Sequence, residues 1–135
     1  MNFVYGEGAI AYALGRLPFA QSFHNAFAIG IIADDRMLGA VVYDNYRPEY
    51  KSIGAHIVVT DKRALSRKTL RRLFHYPFVE LGLNRISCFI DSLNEASVRL
   101  CERLGFSCEG KCSQGSIGGN DLLIYGMLKG ECKWL

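Results

Sequence analysis

The chain switches between two hydrophobic periods, and each switch marks the border of an element. Residues 27–33 (FAIGIIA) and 38–44 (LGAVVYD) are apolar runs on either side of Asp34, Asp35 and Arg36, which predicts a β-hairpin. Residues 45–51 (NYRPEYK) read as a polar connection. Residues 52–60 (SIGAHIVVT) read as a third strand, central because so little of it is charged. From Ser66 the period becomes helical: Leu70, Leu73, Phe74, Pro77, Phe78 and Leu81 form one stripe over a helix 66–81. Pro77 should kink that helix and Gly82 should end it, before a buried strand at 85–91 (RISCFID). Ahead of all these, residues 6–16 (GEGAIAYALGR) predict a short helix closed between Gly15 and Pro18.

The stretch 91–110 predicts one more helix with a marked start and stop. Ser92 and Glu95 have the spacing of a capping box, and Asn94 is a competing N-cap. Val98, Leu100, Cys101 and Leu104 supply the apolar face. Gly105 can take the left-handed position that ends a helix, with Phe106 where a Schellman motif places its hydrophobic contact. Residues 108–114, a Gly-rich loop at 115–120 and a strand at 121–128 close the chain. The predicted order is helix, three strands, helix, strand, helix, two strands. The helical crossover from 52–60 to 85–91 should be right-handed and make those strands parallel, so the fold class is α/β with a mixed sheet.

At 135 residues the chain reads as one domain, long enough to bury about 68% of its unfolded surface. The net charge of +3 is unevenly spread: Lys62, Arg63, Arg67, Lys68, Arg71 and Arg72 follow one another with no acid among them. An anion is the natural partner of such a cluster. Five cysteines, an odd number, and the absence of a signal-like opening point to reduced thiols and a cytoplasmic setting. Cys108 and Cys112 lack a second ligand pair at zinc spacing, and no apolar run has the length to span a membrane.

Ligands of open α/β sheets bind beyond the carboxyl ends of the strands. Two helix starts, near Ser66 and near Ser92–Asn94, meet that edge, and each offers free N–H groups and a partial positive charge. The pattern points to a phosphate-bearing ligand lying along 52–60 and touching both starts.

The run NEASVRLCERLGFSCEG and the closing DLLIYGMLKGECKWL resemble the GCN5-related N-acetyltransferases (GNAT). The branch in question includes ribosomal-protein alanine acetyltransferases and small bacterial and phage-encoded relatives. Its string N-x-x-S-x-x-x-x-x-x-L-G-F-x-x-E-G is matched by Asn94, Ser97, Leu104, Gly105, Phe106, Glu109 and Gly110, and the resemblance covers about residues 25–135. It implies a GNAT-like acyltransferase fold with acetyl-CoA as cosubstrate and an amine acceptor, protein or small molecule. Asn94 and Ser97 would then contact the pantetheine arm or the thioester. Strand 52–60 would splay from 85–91 at a bulge, and backbone groups of Ile57, Val58 and Val59 would pair with the pantetheine amides. The turn before helix 66–81, with Arg63, Ser66, Arg67 and Lys68, would hold the pyrophosphate. That turn departs from the family in having no glycine. The family's general-acid tyrosine is here Cys101.

Acetyl transfer needs an uncharged amine. A lysine-like amine is neutral only about 0.04% of the time at pH 7, a deficit of roughly 4–5 kcal/mol, so a base belongs near the thioester. His56, inside the third strand, is the first candidate and Glu109 the second. Cys101 is the candidate acid, with Ser97 and Tyr125 as other donors. His24 and His75 read as surface residues, and Asp91 and Ser92 as capping groups. Two other readings compete: an inactive relative that binds CoA or a protein, and a nucleic-acid module using the basic helix. The full apolar stripe of that helix and the lack of interleaved aromatics weigh against the second. Tyr43 to Lys51 and loop 115–120 are expected on the acceptor side, and Trp134 to tuck into the core or into a partner of a homo-oligomer.

Overall fold

The computed structural model describes residues 1–16 and 25–135, so His24 and Pro18 lie outside the described residues. The strands are β1 (Asn2–Tyr5), β2 (Phe27–Ala33), β3 (Arg36–Arg47), β4 (Ser52–Val59), β5 (Arg85–Asp91), β6 (Ser107–Cys112) and β7 (Leu122–Leu128). The α-helices are α1 (Glu7–Leu14), α2 (Arg67–His75) and α3 (Glu95–Leu104). The strands form one sheet in the order β1-β2-β3-β4-β5-β7-β6. The β4–β5 pair is parallel and every other pair antiparallel, as the crossover argument requires.

Two differences from expectation concern strands. Asn2–Tyr5 is a strand paired with β2, too short to register as a periodic run. The segment read as a polar connection begins as β3, which runs on to Arg47 before a 3₁₀ turn at Pro48–Tyr50. Tertiary pairing extends the strand through polar residues, because a ladder needs backbone rather than hydrophobic side chains. The β2–β3 hairpin turns on Asp34 and Asp35, both left-handed at φ 53° and 61°, as a tight two-residue turn requires.

The larger core lies between one sheet face and α2 and α3. It joins Ile29, Val41, Ile53 and Ile86 of the sheet to Leu70, Phe74, Phe78 and Leu104. The other face is covered only in part. There α1 packs Ala9 and Ala13 against Ala28, Ala40, Val42 and Val58, and the small side chains let the helix approach closely. Among the described residues no helix covers that face over β5, β7 and β6, where Phe89 and Leu128 are exposed.

The kink expected at Pro77 is a π turn over Tyr76–Glu80, in which the Leu81 N–H reaches the Tyr76 carbonyl at 3.0 Å. Proline supplies no N–H to the Leu73 carbonyl four residues back. The Tyr43 hydroxyl donates to that carbonyl instead, at 2.5 Å from inside the core. Burial pushes the Tyr43 phenol well above its ordinary range, which keeps it a donor. Tyr43→Phe should cost about 1–3 kcal/mol by leaving a buried carbonyl unpaired. Urea unfolding reads this directly, and an unchanged midpoint would show that another donor takes over.

Candidate active site

Three residue pairs, Ser52↔Arg85, Ile53↔Ile86 and Gly54↔Ser87, are all that join β4 to β5. Beyond them β4 runs to Val59 and β5 to Asp91 without pairing, so the parallel strands open into a V. The pairing ends without a register shift, so the splay arises without the expected bulge. On the core side of the V a narrow apolar crevice (the slot) lies between the sheet and α2. Ala55, Ile57 and Val59 of β4, Ile86 of β5, Leu70 and Phe74 of α2, and Leu104 and Phe106 line it. Strand alternation turns Ala55 and Ile57 into this side and Gly54, His56 and Val58 to the other.

Two helix starts flank the mouth. Ser66 is the N-cap of α2, its hydroxyl accepting from the Thr69 N–H at 3.2 Å, while Arg67 and Lys68 are exposed in the first turn. Arg67 also reaches the Lys133 carbonyl at 3.4 Å. The glycine-free turn before α2 is a 3₁₀ turn, Lys62–Leu65, capped by Asp61, which accepts from the Arg63 N–H at 2.9 Å. The Arg63 guanidinium lies between Asp61 at 3.0 Å and Asp34 at 3.1 Å. A carboxylate thus occupies part of the donor set that a phosphate would use.

The side-chain hydrogen bond from Arg63 holds the Asp61 carboxyl down at about 2. A folded-state value below the ordinary one adds stability that is present above about pH 4 and lost as pH falls towards 2. Asp61→Asn should flatten that part of an acid-melting profile. An unaltered profile would assign the acid loss to other carboxylates.

At the second start Asn94, rather than Ser92, is the N-cap of α3, its side chain accepting from the Ser97 N–H at 3.3 Å. Asp91 holds the turn in place. It accepts from the Leu93 N–H at 2.9 Å, from Ser116 at 2.5 Å and from Asn120 at 3.2 Å, so the 115–120 loop is bolted to the helix start. The Ser116 hydrogen bond, then those from Leu93 and Asn120, draw the Asp91 carboxyl below its usual range. The far end of α3 is the expected Schellman motif: Gly105 sits at φ 110° and the Phe106 N–H bonds Cys101 at 3.0 Å. Trp134 donates to the Leu104 carbonyl at 2.8 Å, so this side chain packs within its own chain.

His56 faces away from the slot, two residues past the last β4–β5 pair, with Nε2 3.0 Å from Asp44 Oδ2. Across the vertex on the same face, Arg85 donates to Ser87 at 2.9 Å and to Glu109 at 2.6 Å. That ion pair lies directly over Gly126, where an added Cβ would collide with the Arg85 guanidinium and the Glu109 carboxylate. The two candidate bases therefore flank one vertex. Sequence reasoning missed Asp44, Arg85 and Ser87. Asp44 is the one acid in its apolar strand, and Arg85 and Ser87 share an alternation with Asp91, but only the register brings them here.

Cys101 packs in the core against Cys88, whose thiol is pushed up first by its hydrogen bond to Cys101 and then by burial. It is not among the slot-lining residues. Tyr125 donates to Glu102 at 3.2 Å, and burial followed by that bond pushes its phenol up to about 12. His75 lies 3.6 Å from Glu80 on the surface of α2. Among the described residues no cluster of His, Cys, Asp and Glu could hold a metal, and no helix is long and apolar enough to cross a membrane.

A mixed sheet that opens between two parallel strands, over an apolar slot flanked by two helix starts, defines a family. The chain belongs to the acetyltransferase (GNAT) domain family, whose model matches residues 7–107. Among its relatives is a Bacillus subtilis (strain 168) protein named "Putative ribosomal N-acetyltransferase YdaF". It is 31% identical over 113 residues, covering 79% of this chain and 62% of that protein. This chain thus spans about three fifths of that relative's length. A crystal structure named "Probable acetyltransferase" matches at 28% identity with a TM-score of 0.67, over 79% of this chain and 64% of the other. A mutant of spermidine N-acetyltransferase SpeG from Vibrio cholerae shares the fold: its TM-score is 0.77 at 18% identity, over 100% of this chain and 98% of the other.

Proposed function

We propose that this chain, as one GNAT-like domain, transfers the acetyl group of acetyl-CoA to a primary amine by direct attack. The observation that carries the reading is the parting of β4 and β5 past Gly54 and Ser87, over an apolar slot and beside His56. The pantetheine arm would lie in the opening of the V, where its amides would take the backbone groups of Ile57, Val58 and Val59 that lack β5 as a partner. Asn94 and Ser97 would meet the arm from α3. Ser66, Arg67 and Lys68 would receive the pyrophosphate, with Arg63 exchanging its carboxylates for phosphate oxygens.

On the opposite face the amine approaches the thioester carbonyl, and a β4 backbone N–H beyond Gly54 stabilises the oxyanion. His56 takes the amine proton as the C–N bond forms. The C–S bond then breaks, and the departing thiolate gains a proton in turn. Asp44 places negative charge on this face, while Glu109 there is paired with Arg85, and an acceptor amine would approach beside Asp44. One relative is named a putative ribosomal N-acetyltransferase and one structural neighbour a spermidine N-acetyltransferase, so a protein amine and a polyamine are the two acceptors to try. All five cysteines are free thiols, which supports a cytoplasmic setting.

Calorimetric titration with acetyl-CoA and with CoA tests binding. Thiol release with spermidine, or with a peptide bearing a free N-terminal amine, tests transfer. Micromolar binding with thiol release supports the reading, and no binding at millimolar acetyl-CoA refutes it. Binding without release to either probe would favour an inactive CoA-binding module, a reading that draws on the carboxylates already holding Arg63. Asn94→Ala should remove a helix cap at about 1 kcal/mol and weaken acetyl-CoA binding beyond that loss. Unchanged affinity would take Asn94 out of the site.

A further inference from the structure

The sheet face that carries His56 also carries an apolar group at the vertex, which the transfer chemistry does not use. The last β4–β5 pair is Gly54↔Ser87, so the next residues to point to this face are His56 on β4 and Phe89 on β5. The strands have parted there, and these two side chains stand on opposite sides of the opening. Phe89 is 42% exposed, although its neighbours Cys88 and Ile90 are buried in the core. It lies opposite Ile124 of β7, and Leu122, opposite Asp91, continues the apolar strip. A cross-strand pair of this kind stabilises a sheet, yet the ring keeps much of its surface open where an acceptor must enter. The 115–120 loop borders the same end: Ser116 binds Asp91 at 2.5 Å, and Ile117 beside it is exposed.

The two flanks of the opening therefore differ in kind. On the β4 side stands the Asp44–His56 pair, for which Gly54 makes room, since an added Cβ there would meet Asp44 Oδ1 at 2.8 Å. On the other side stand Phe89, Ile124 and Leu122. The strands carry three acids, Asp44, Asp91 and Glu109, and all three belong to this face. Each already has a partner: His56 for Asp44, Ser116 and Asn120 for Asp91, and Arg85 for Glu109. An acceptor with a second ammonium a few carbons from the first would bring it against the apolar flank, where a charge loses water without gaining a counter-charge. An acceptor with a hydrocarbon group there would bury it against the ring and gain from leaving water. We propose that Phe89 determines acceptor specificity: its ring, with Ile124, receives an apolar group one or two carbons from the reacting amine. The preferred acceptor is then a singly charged primary amine with a hydrocarbon group beside it, rather than a polyamine. The N-terminal residue of a peptide and a small arylalkylamine both have this chemistry. The proposal rests on the transferase reading above and names the acceptor class of that site. Phe89 takes no part in the bond changes; it selects what stands next to the nitrogen.

The test measures thiol release by the full chain, at saturating acetyl-CoA, with a peptide beginning in leucine, the same peptide beginning in glycine, 2-phenylethylamine and spermidine. The kcat/KM for the leucine peptide or for 2-phenylethylamine should exceed that for spermidine by about tenfold or more. Which of the two leads separates a protein acceptor from a small one. Phe89→Ala should lower the leading value by roughly 10- to 100-fold, while the glycine peptide and spermidine stay within about threefold. Acetyl-CoA affinity, read by calorimetry, should stay within about twofold, and Phe89→Leu should recover part of the lost rate. Spermidine turned over by the parent as well as the leading apolar acceptor overturns the proposal and leaves the transferase reading standing. So does a loss in Phe89→Ala that is equal for every acceptor, or no loss at all. Absence of thiol release with all of the acceptors removes the transferase reading itself, and the proposal with it.

Discussion

Replacing His56 with alanine is expected to lower kcat of thiol release by roughly 100- to 10,000-fold, the usual contribution of a positioned base. Acetyl-CoA affinity should stay within about twofold, since an interaction made only in the transition state does not enter ground-state binding. The geometry behind the split is that Ala55 and Ile57 line the slot while His56 points to the other face. Loss of the ring therefore leaves the slot walls untouched. A parallel loss of affinity would mean that the substitution reshapes β4. Full activity would move the proton to Glu109, on the other side of the vertex, or to water.

Phe78→Ala is expected to be the most damaging single truncation for stability. Phe78 is fully buried in the π turn that follows α2, and its ring is stacked against Phe74 at 6.4 Å between centroids. Truncating such a ring removes about 3–5 kcal/mol, of a total that for most domains is about 5–15 kcal/mol. The melting temperature should fall by roughly 10–20 °C, and the urea midpoint should fall in step. The turn that holds Phe78 is already tied by Pro77 and by the Tyr43 hydroxyl, so it has little freedom to collapse into the cavity. A loss below about 1 kcal/mol would show that the neighbouring side chains do close over it.

Much of the C-terminal half was legible because its signals are local. The Asn94 cap, the Gly105 stop and the Phe106 contact each depend on a few adjacent residues, and β5, α3, β6 and β7 appear where the pattern places them. The competing cap was decided by geometry, since Asn94 reaches the Ser97 N–H while Ser92 binds the Asp121 carbonyl through its own N–H. The first strand and the end of β3 were not legible, because both owe their form to partners distant in the sequence. The parting of β4 from β5 has no hydrophobic signature either. A strand that pairs for three residues and one that pairs for eight read alike, so the splay came only from family resemblance. The Asp44–His56 pair was hidden for a related reason. It depends on a register between two strands and on a glycine whose function is to be absent from the carboxylate's path.

The parting of the two strands has a consequence for the sheet itself. It creates two edges in the interior of a seven-stranded sheet, where a continuous ladder would have none. Edges normally invite other chains to add a strand. Here the β4 edge is only five residues long past Gly54 and looks into a slot roofed by α2 and the end of α3, so a foreign strand has little room to enter. A thin chain carrying its own amide groups can enter where a strand cannot. The opening thus leaves a short strand edge inside the fold, sheltered from the strand addition that an outer edge invites.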